Sequence, residues 1–248
     1  MSHAHRPFPP PPDRPWVMKQ RWHDLLFAHW RVDPDELRRV VHPSLPVDEF
    51  DGSAWIGVTP FEVRGFRPRG GPPPPRLSRF LECNVRTYST VEGRPGIHFF
   101  SLDAESRLAV RGARRFWRLP YHLADMDASR DGDRVSYRTE RVSRDGPPAE
   151  LAIEYEPTGP VRRAEPGSLE YFLTERYCLY TTDERGTIQS GDIDHPPWPL
   201  QPASARIAVN TMAEQVGVRL TGDPLLHFAA RQDVLMWRIA PLRVEGSS

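Results

Sequence analysis

The residues best placed to do chemistry stand in one short run, Phe80–Tyr88, which reads Phe-Leu-Glu-Cys-Asn-Val-Arg-Thr-Tyr. Successive side chains of an extended strand point to opposite faces. Glu82, Asn84, Arg86 and Tyr88 therefore share one face, and Leu81, Cys83, Val85 and Thr87 share the other. On an ordinary antiparallel strand a row of carboxylate, amide, guanidinium and phenol meets solvent. In a closed barrel it lines the interior, where the carboxylate can move a proton and the guanidinium can pair an anion. A second candidate is Arg114–Met126, in which a helix runs into Pro120 and is followed by Tyr121, His122 and an aspartate-rich turn. A histidine there can give or take a proton near neutral pH, against the commoner case of a satisfied structural histidine. Arg21, His23 and His29 fall on one alternating face of an early strand among aromatic neighbours. The loop His195-Pro-Pro-Trp-Pro-Leu, with Trp198 at its centre, is stiff enough to close a pocket or simply to pack.

Several chemistries lack their motifs. There is no Gly-rich dinucleotide turn, no phosphate-binding Walker loop, no nucleophile elbow and no His-Glu-x-x-His pair. The nine histidines are scattered, so neither a metal nor a cofactor is expected. With 33 basic and 33 acidic residues the 248-residue chain carries no formal net charge, which argues against a nucleic-acid partner. Lys19 is the only lysine. Two isolated cysteines, Cys83 and Cys178, fit a reducing compartment better than a disulfide framework, and the first residues have no apolar signal region, so the expected location is the cytoplasm. No apolar run approaches a membrane span, so no membrane partner is expected. The oligomeric state is left open, a homo-oligomer included.

The elements that must hold these residues are mostly strands. Residues 1–15 read as a disordered proline-rich tail and residues 16–244 as one domain. Strands are expected at Trp22–Trp30, Ala54–Thr59, Phe61–Val63, Phe80–Thr90, Ile97–Ala104, Arg134–Val142, Leu151–Tyr155, Arg176–Thr182, Ala205–Val209 and Val234–Ile239. Asp33, Pro34 and Glu36 make a helix start, and Leu37, Val40 and Val41 supply its apolar face, giving a helix over Pro34–Val41. Ala109, Ala113, Phe116 and Trp117 recur at helical spacing within Ser106–Trp117. Short helices are expected at Ser168–Leu173 and around Ala213, with a turn at Asp183–Gly186. Many short strands with few helices predict a barrel or sandwich with helices outside.

The stretches Asp33–Phe50 and Ser101–Met126 resemble the opening and the Pro-Lys-Lys-bearing segment of acetoacetate decarboxylase. A closer resemblance is to the YqjF-like family, carried by QRWHDLLFAHW, FDGSAWIGVTPFEV, ECNVRTY, LPYHLADM, LTERYCLY, HPPWPL and LLHFAARQDVLMW, which together span Met18 to about Val244. The resemblance implies an α+β fold, a mostly antiparallel β-barrel of the acetoacetate decarboxylase-like type with a few external helices. It implies that the strand bearing Glu82 lines a cavity, with Glu82 where the decarboxylase has its active-site glutamate. Arg21 or His23 falls near the substrate-carboxylate arginine, Tyr121 on the Schiff-base lysine, and His122 on the neighbouring lysine. An imine needs a primary amine, and neither Tyr121 nor His122 has one.

The expected site therefore has Glu82, His122 and Tyr121 as catalytic groups. Arg86, Asn84, Arg21, His23 and Trp198 contact the ligand, with Trp117 or Trp198 as aromatic walls. The expected ligand is a small anionic or carbonyl compound. The expected activity is acid–base chemistry of the lyase, hydratase or isomerase type without a Schiff base, and the alternative is a non-catalytic small-molecule-binding or sensing protein.

Overall fold

A computed structural model describes residues 11–72, 74, 78–117, 119–182 and 186–242. Strands β1 (Met18–Val32) and β2 (Ala54–Pro68) are each 15 residues long and pair antiparallel. Between them, α1 (Pro34–Val40) begins as its sequence requires. The Asp33 carboxylate accepts from the Asp35 N–H at 2.7 Å, and Pro34 occupies the first turn.

Strands β3 (Arg79–Val91) and β4 (Arg94–Ala104) form the next hairpin. The helix α2 (Arg107–Trp117) crosses to β5 (Tyr121–Asp131), which is followed by β6 (Arg134–Arg141) and β7 (Glu150–Pro157). The short α3 (Leu169–Thr174), capped by the Ser168 hydroxyl, leads into β8 (Cys178–Thr182) and β9 (Ile188–Asp194). Strands β10 (Gln201–Asn210), β11 (Leu225–Met236) and β12 (Ala240–Pro241) complete the order, with a single 3-10 turn at Glu214–Val216.

The strand pairings close twice. They run β4–β3–β2–β1–β11–β10–β7–β6–β5 and return from β5 to β4, a ring of nine strands. They also run β4–β3–β2–β1–β11–β9–β8 and return from β8 to β4, a ring of seven. The fold is thus the expected mostly antiparallel barrel with outer helices; β4 pairs in parallel with β5 and with β8. Closure leaves the shared strands no free edge.

Five strands, β4, β3, β2, β1 and β11, are common to both rings, so each has a ring interior on either side. This explains why Ala54–Val63 is buried at every position, with no solvent-facing alternation. One face packs Leu26, Ile56, Cys83 and Val85 against Tyr137 and Ile153, which fills the nine-stranded ring. The other face looks into the seven-stranded ring, with Phe61 and Phe80 toward the end where α2 sits, and Leu102, Leu179 and Ile193 further in.

Several elements differ from expectation. The aspartate-rich segment after Tyr121 is not a turn but strand β5, whose polar residues alternate outward on an antiparallel partner, β6. Ile188–Asp194 is a strand that the sequence reading passed over. The last long strand is Leu225–Met236 rather than Val234–Ile239, because pairing with β1 runs from His29 back to Met18. Before Trp16, the Arg14 guanidinium meets Asp192 and the Arg14 carbonyl accepts from the Trp237 indole at 2.7 Å. Residues 1–10 and most of the turn at Asp183–Gly186 lie outside the described residues. Among the described residues, no helix is long and apolar enough to cross a membrane.

Candidate active site

Inside the seven-stranded ring, under α2, lies a cavity of about 100 Å³. Strand β3 contributes Glu82, Asn84 and Arg86 to it, β1 contributes Gln20 and Trp22, and β5 contributes Tyr121. The period-two alternation of β3 puts its three polar groups in one line, and all three residues are buried. A wider pocket of about 320 Å³ opens near Asp24, Glu62 and Arg130, where Arg64 and Arg79 hold Glu62 and Arg130 holds Asp24.

Burial raises the Glu82 carboxyl to about 8. The Asp103 charge pushes the same way, while a hydrogen bond from the Tyr121 hydroxyl to Oε2, at 3.1 Å, opposes it. Burial next to Glu82 also pushes the Tyr121 phenol well up. At neutral pH both groups are therefore neutral proton donors.

Two positions further along β3 the Asn84 Oδ1 has no partner among the described residues, and two further again the Nε and Nη2 of Arg86 have none. The Arg86 guanidinium lies over the Phe27 ring, 5.0 Å from its centroid. His29 lies beside Arg86 at Gly57. Its Nε2 is 2.7 Å from the Tyr88 hydroxyl, and burial, then the Arg86 and His227 charges, hold its pKa well below the usual histidine range. Gly57, opposite Arg86 on β2, makes room for both, since a Cβ there would come within 3.1 Å of the His29 ring and 3.3 Å of Arg86 Cγ. The cavity thus holds, at one end, a guanidinium with no carboxylate partner among the described residues and, toward the other, a protonated carboxyl.

The structure divides the residues singled out in the sequence. Glu82, Asn84, Arg86 and Tyr121 line one cavity. His122 is a correction. It follows Tyr121 within β5 and faces the other way, beside the buried pair in which Arg141 donates to both carboxylate oxygens of Asp103 at 2.8 and 2.9 Å. Its Nδ1 lies 3.6 Å from Asp145, outside the cavity lining.

Arg21 and His23 are a second correction. Asp24 adopts φ 50° and the register to β2 slips between His23 and Ala28, so the inward face changes from even to odd positions. Gln20 and Trp22 face the cavity before the bulge, and Leu25 and Phe27 face the same interior after it. Arg21 therefore lies against Gly65 and His23 near Arg64 and Asp24, while His29 turns inward.

Trp198 stands behind the wall rather than in it, stacked on Trp22 with centroids 6.0 Å apart. The side chain of Trp117 lies outside the described residues. Lys19 falls between the two inward residues Met18 and Gln20 and so faces away from the cavity. Gln20 and Trp22 were missed, because the bulge that selects them is not visible as a pattern. Among the described residues no group of three His, Cys, Asp or Glu side chains could hold a metal.

Comparison with known proteins bears on this geometry. The model of the DUF2071 family, described as "Uncharacterized conserved protein", matches residues 19–233. The "Uncharacterized protein YqjF" of Bacillus subtilis (strain 168) is 48% identical over 233 residues, 94% of each chain. Among solved structures, the enduracididine biosynthesis enzyme MppR complexed with pyruvate superposes with a TM-score of 0.64 at 14% identity, covering 93% of this chain and 92% of that one. The acetoacetate decarboxylase of Legionella pneumophila superposes with a TM-score of 0.59 at 12% identity, covering 96% and 94%. At these identities the likeness is one of fold.

Proposed function

The chain belongs to the DUF2071 family, and from that premise we propose that its seven-stranded ring binds a small carbonyl-containing carboxylate and moves a proton on it without forming an imine. The observation that carries this reading is the buried Arg86 guanidinium, whose Nε and Nη2 have no partner among the described residues, on the same cavity wall as a carboxyl kept neutral at pH 7. A buried charge without a counter-charge is costly, and an incoming carboxylate supplies one through charge-assisted hydrogen bonds. Glu82 then donates its proton to the carbonyl oxygen as negative charge develops there. The Tyr121 O–H, already donating to Oε2, steadies the carboxylate left behind. In enolisation a solvent water takes the α-proton as Glu82 protonates the carbonyl oxygen, and in hydration a solvent water adds to the carbonyl carbon and then releases its proton to the Glu82 carboxylate. The solved MppR complex holds pyruvate in a related barrel, which supports an oxo acid as the first ligand to try.

The test is a thermal-shift titration with pyruvate, paired with NMR of methyl-proton exchange in D2O. Pyruvate stabilises the wild-type protein and not Arg86→Met. Glu82→Gln keeps binding and slows exchange by roughly 100-fold. Stabilisation without any exchange above buffer would favour the non-catalytic binding protein, and equal behaviour of wild type and Arg86→Met would overturn the site.

A further inference from the structure

We infer that the occupant of the cavity is an oxo acid with an apolar tail, and that Gly112 on α2 limits how long that tail can be. This rests on the reading of Arg86 as the carboxylate holder and adds the substrate class.

The polar groups of the cavity are few, and three of them lie in one line. Glu82, Asn84 and Arg86 follow one another along β3, each step about 7 Å. Beside them on β4 stand Phe99 and Leu102, the partners of Arg86 and Asn84, and Leu179 and Ile193 of β8 and β9 continue the apolar wall. A ligand polar at every edge would leave groups unpaired against that wall. The helix fixes the direction of the line. Strand β4 ends at Ala104, the partner of Glu82, and β5 begins at Tyr121, so α2 spans the barrel mouth at the Glu82 end. Moving inward from the helix, the order is Glu82, Asn84, Arg86. A carboxylate on Arg86 is then deepest, and the rest of the ligand runs from it toward Glu82, Tyr121 and α2.

The face that α2 turns to the cavity is made of Leu108, Ala109, Gly112 and Ala113, which share one side of a helix at this spacing. Arg107, Arg111, Arg114 and Arg115 lie on the exposed side. Leu108 lines the cavity and yet is 50% exposed, which marks the rim. Gly112 is the telling residue. Its φ is not in the left-handed region, so the backbone does not demand glycine, and nothing lies within 4 Å of where its Cβ would be. A mid-helix glycine weakens a helix and here gains no close packing. What it provides is open space over the cavity. A cavity of about 100 Å³ is smaller than the ~150 Å³ apolar cavity that holds a benzene, so the tail amounts to a few carbons.

The experiment measures Kd by calorimetry for pyruvate, 2-oxobutanoate, 2-oxopentanoate and 4-methyl-2-oxopentanoate, on wild type, Gly112→Leu, Gly112→Ala and Arg86→Met. In the wild type each added methylene tightens binding by about fourfold until the roof is met. Gly112→Leu abolishes the gain for the longer acids and leaves pyruvate within about twofold. Gly112→Ala, which favours the helix and guards against a folding failure of the leucine variant, weakens the longest acid alone. Wild-type affinities that do not rise with length, or a leucine variant that weakens pyruvate as much as the long acids, would overturn this inference and leave the Arg86 reading standing. If Arg86→Met binds every acid as well as the wild type does, both fall.

Discussion

The Tyr121 hydroxyl donates to Oε2 of Glu82 across 3.1 Å, joining β5 to β3 over the inner face of β4. Because the bond favours the ionised carboxyl, it restrains a pKa that burial alone would carry higher. In Tyr121→Phe the Glu82 pKa rises further above about 8. The carboxyl carbonyl stretch, followed by infrared difference spectroscopy against Glu82→Gln, reads that titration. An unchanged or lower midpoint would contradict the assignment.

Glu82 also shapes stability against pH. Its folded pKa of about 8 lies above the ordinary 4.5, so between those values the folded state holds a proton that the unfolded state has released. Unfolding then becomes easier as pH rises, by up to about 1.4 kcal/mol per pH unit from this group, and the effect levels off above pH 8. Glu82→Gln removes this term. Denaturant curves from pH 5 to 8 are expected to be flatter for the variant, and parallel slopes would rule the idea out.

The Asp103–Arg141 pair ties β4 to β6 inside the nine-stranded ring, with the Asp103 and Arg141 side chains 1% and 0% exposed. Removing one charge strands the other in a dry interior. Asp103→Asn is expected to cost about 3–5 kcal/mol in chemical denaturation. A loss below about 1 kcal/mol would mean that water reaches the pair.

Imine chemistry has one candidate side-chain amine, that of Lys19, the only lysine of the chain. It faces away from the cavity between Met18 and Gln20, so borohydride added with pyruvate should leave the mass of Lys19-containing peptides unchanged. A reduced adduct on Lys19 would show that β1 can turn this residue inward.

Much of the fold was open to sequence reading, because it depends on local periodicity and caps. The Asp33–Pro34 start of α1 and the alternation of Glu82, Asn84 and Arg86 are both set by neighbours within a few residues. The apolar and small residues of Ser106–Trp117 likewise placed α2, though not what it covers. Where the reading failed, the missing information was non-local. A one-residue bulge at Asp24 reverses which of Arg21, Trp22 and His23 points inward, and nothing in their types announces it. Tyr121 and His122, adjacent in sequence, were grouped as one site until β5 proved to be a strand, which sends them to opposite faces.

The sequence by itself determined that β3 carries a carboxyl, an amide and a guanidinium on one face and Leu81, Cys83 and Val85 on the other. Only the tertiary structure decided that both faces are interiors, the first a cavity and the second a packed core. A strand pattern records the difference between its two sides but not which is wet. That depends on ring closure by β5 and by β8, partners separated in sequence from β3 by tens of residues. The same closure takes Glu82 out of water and turns an ordinary surface carboxylate into an acid that keeps its proton at neutral pH.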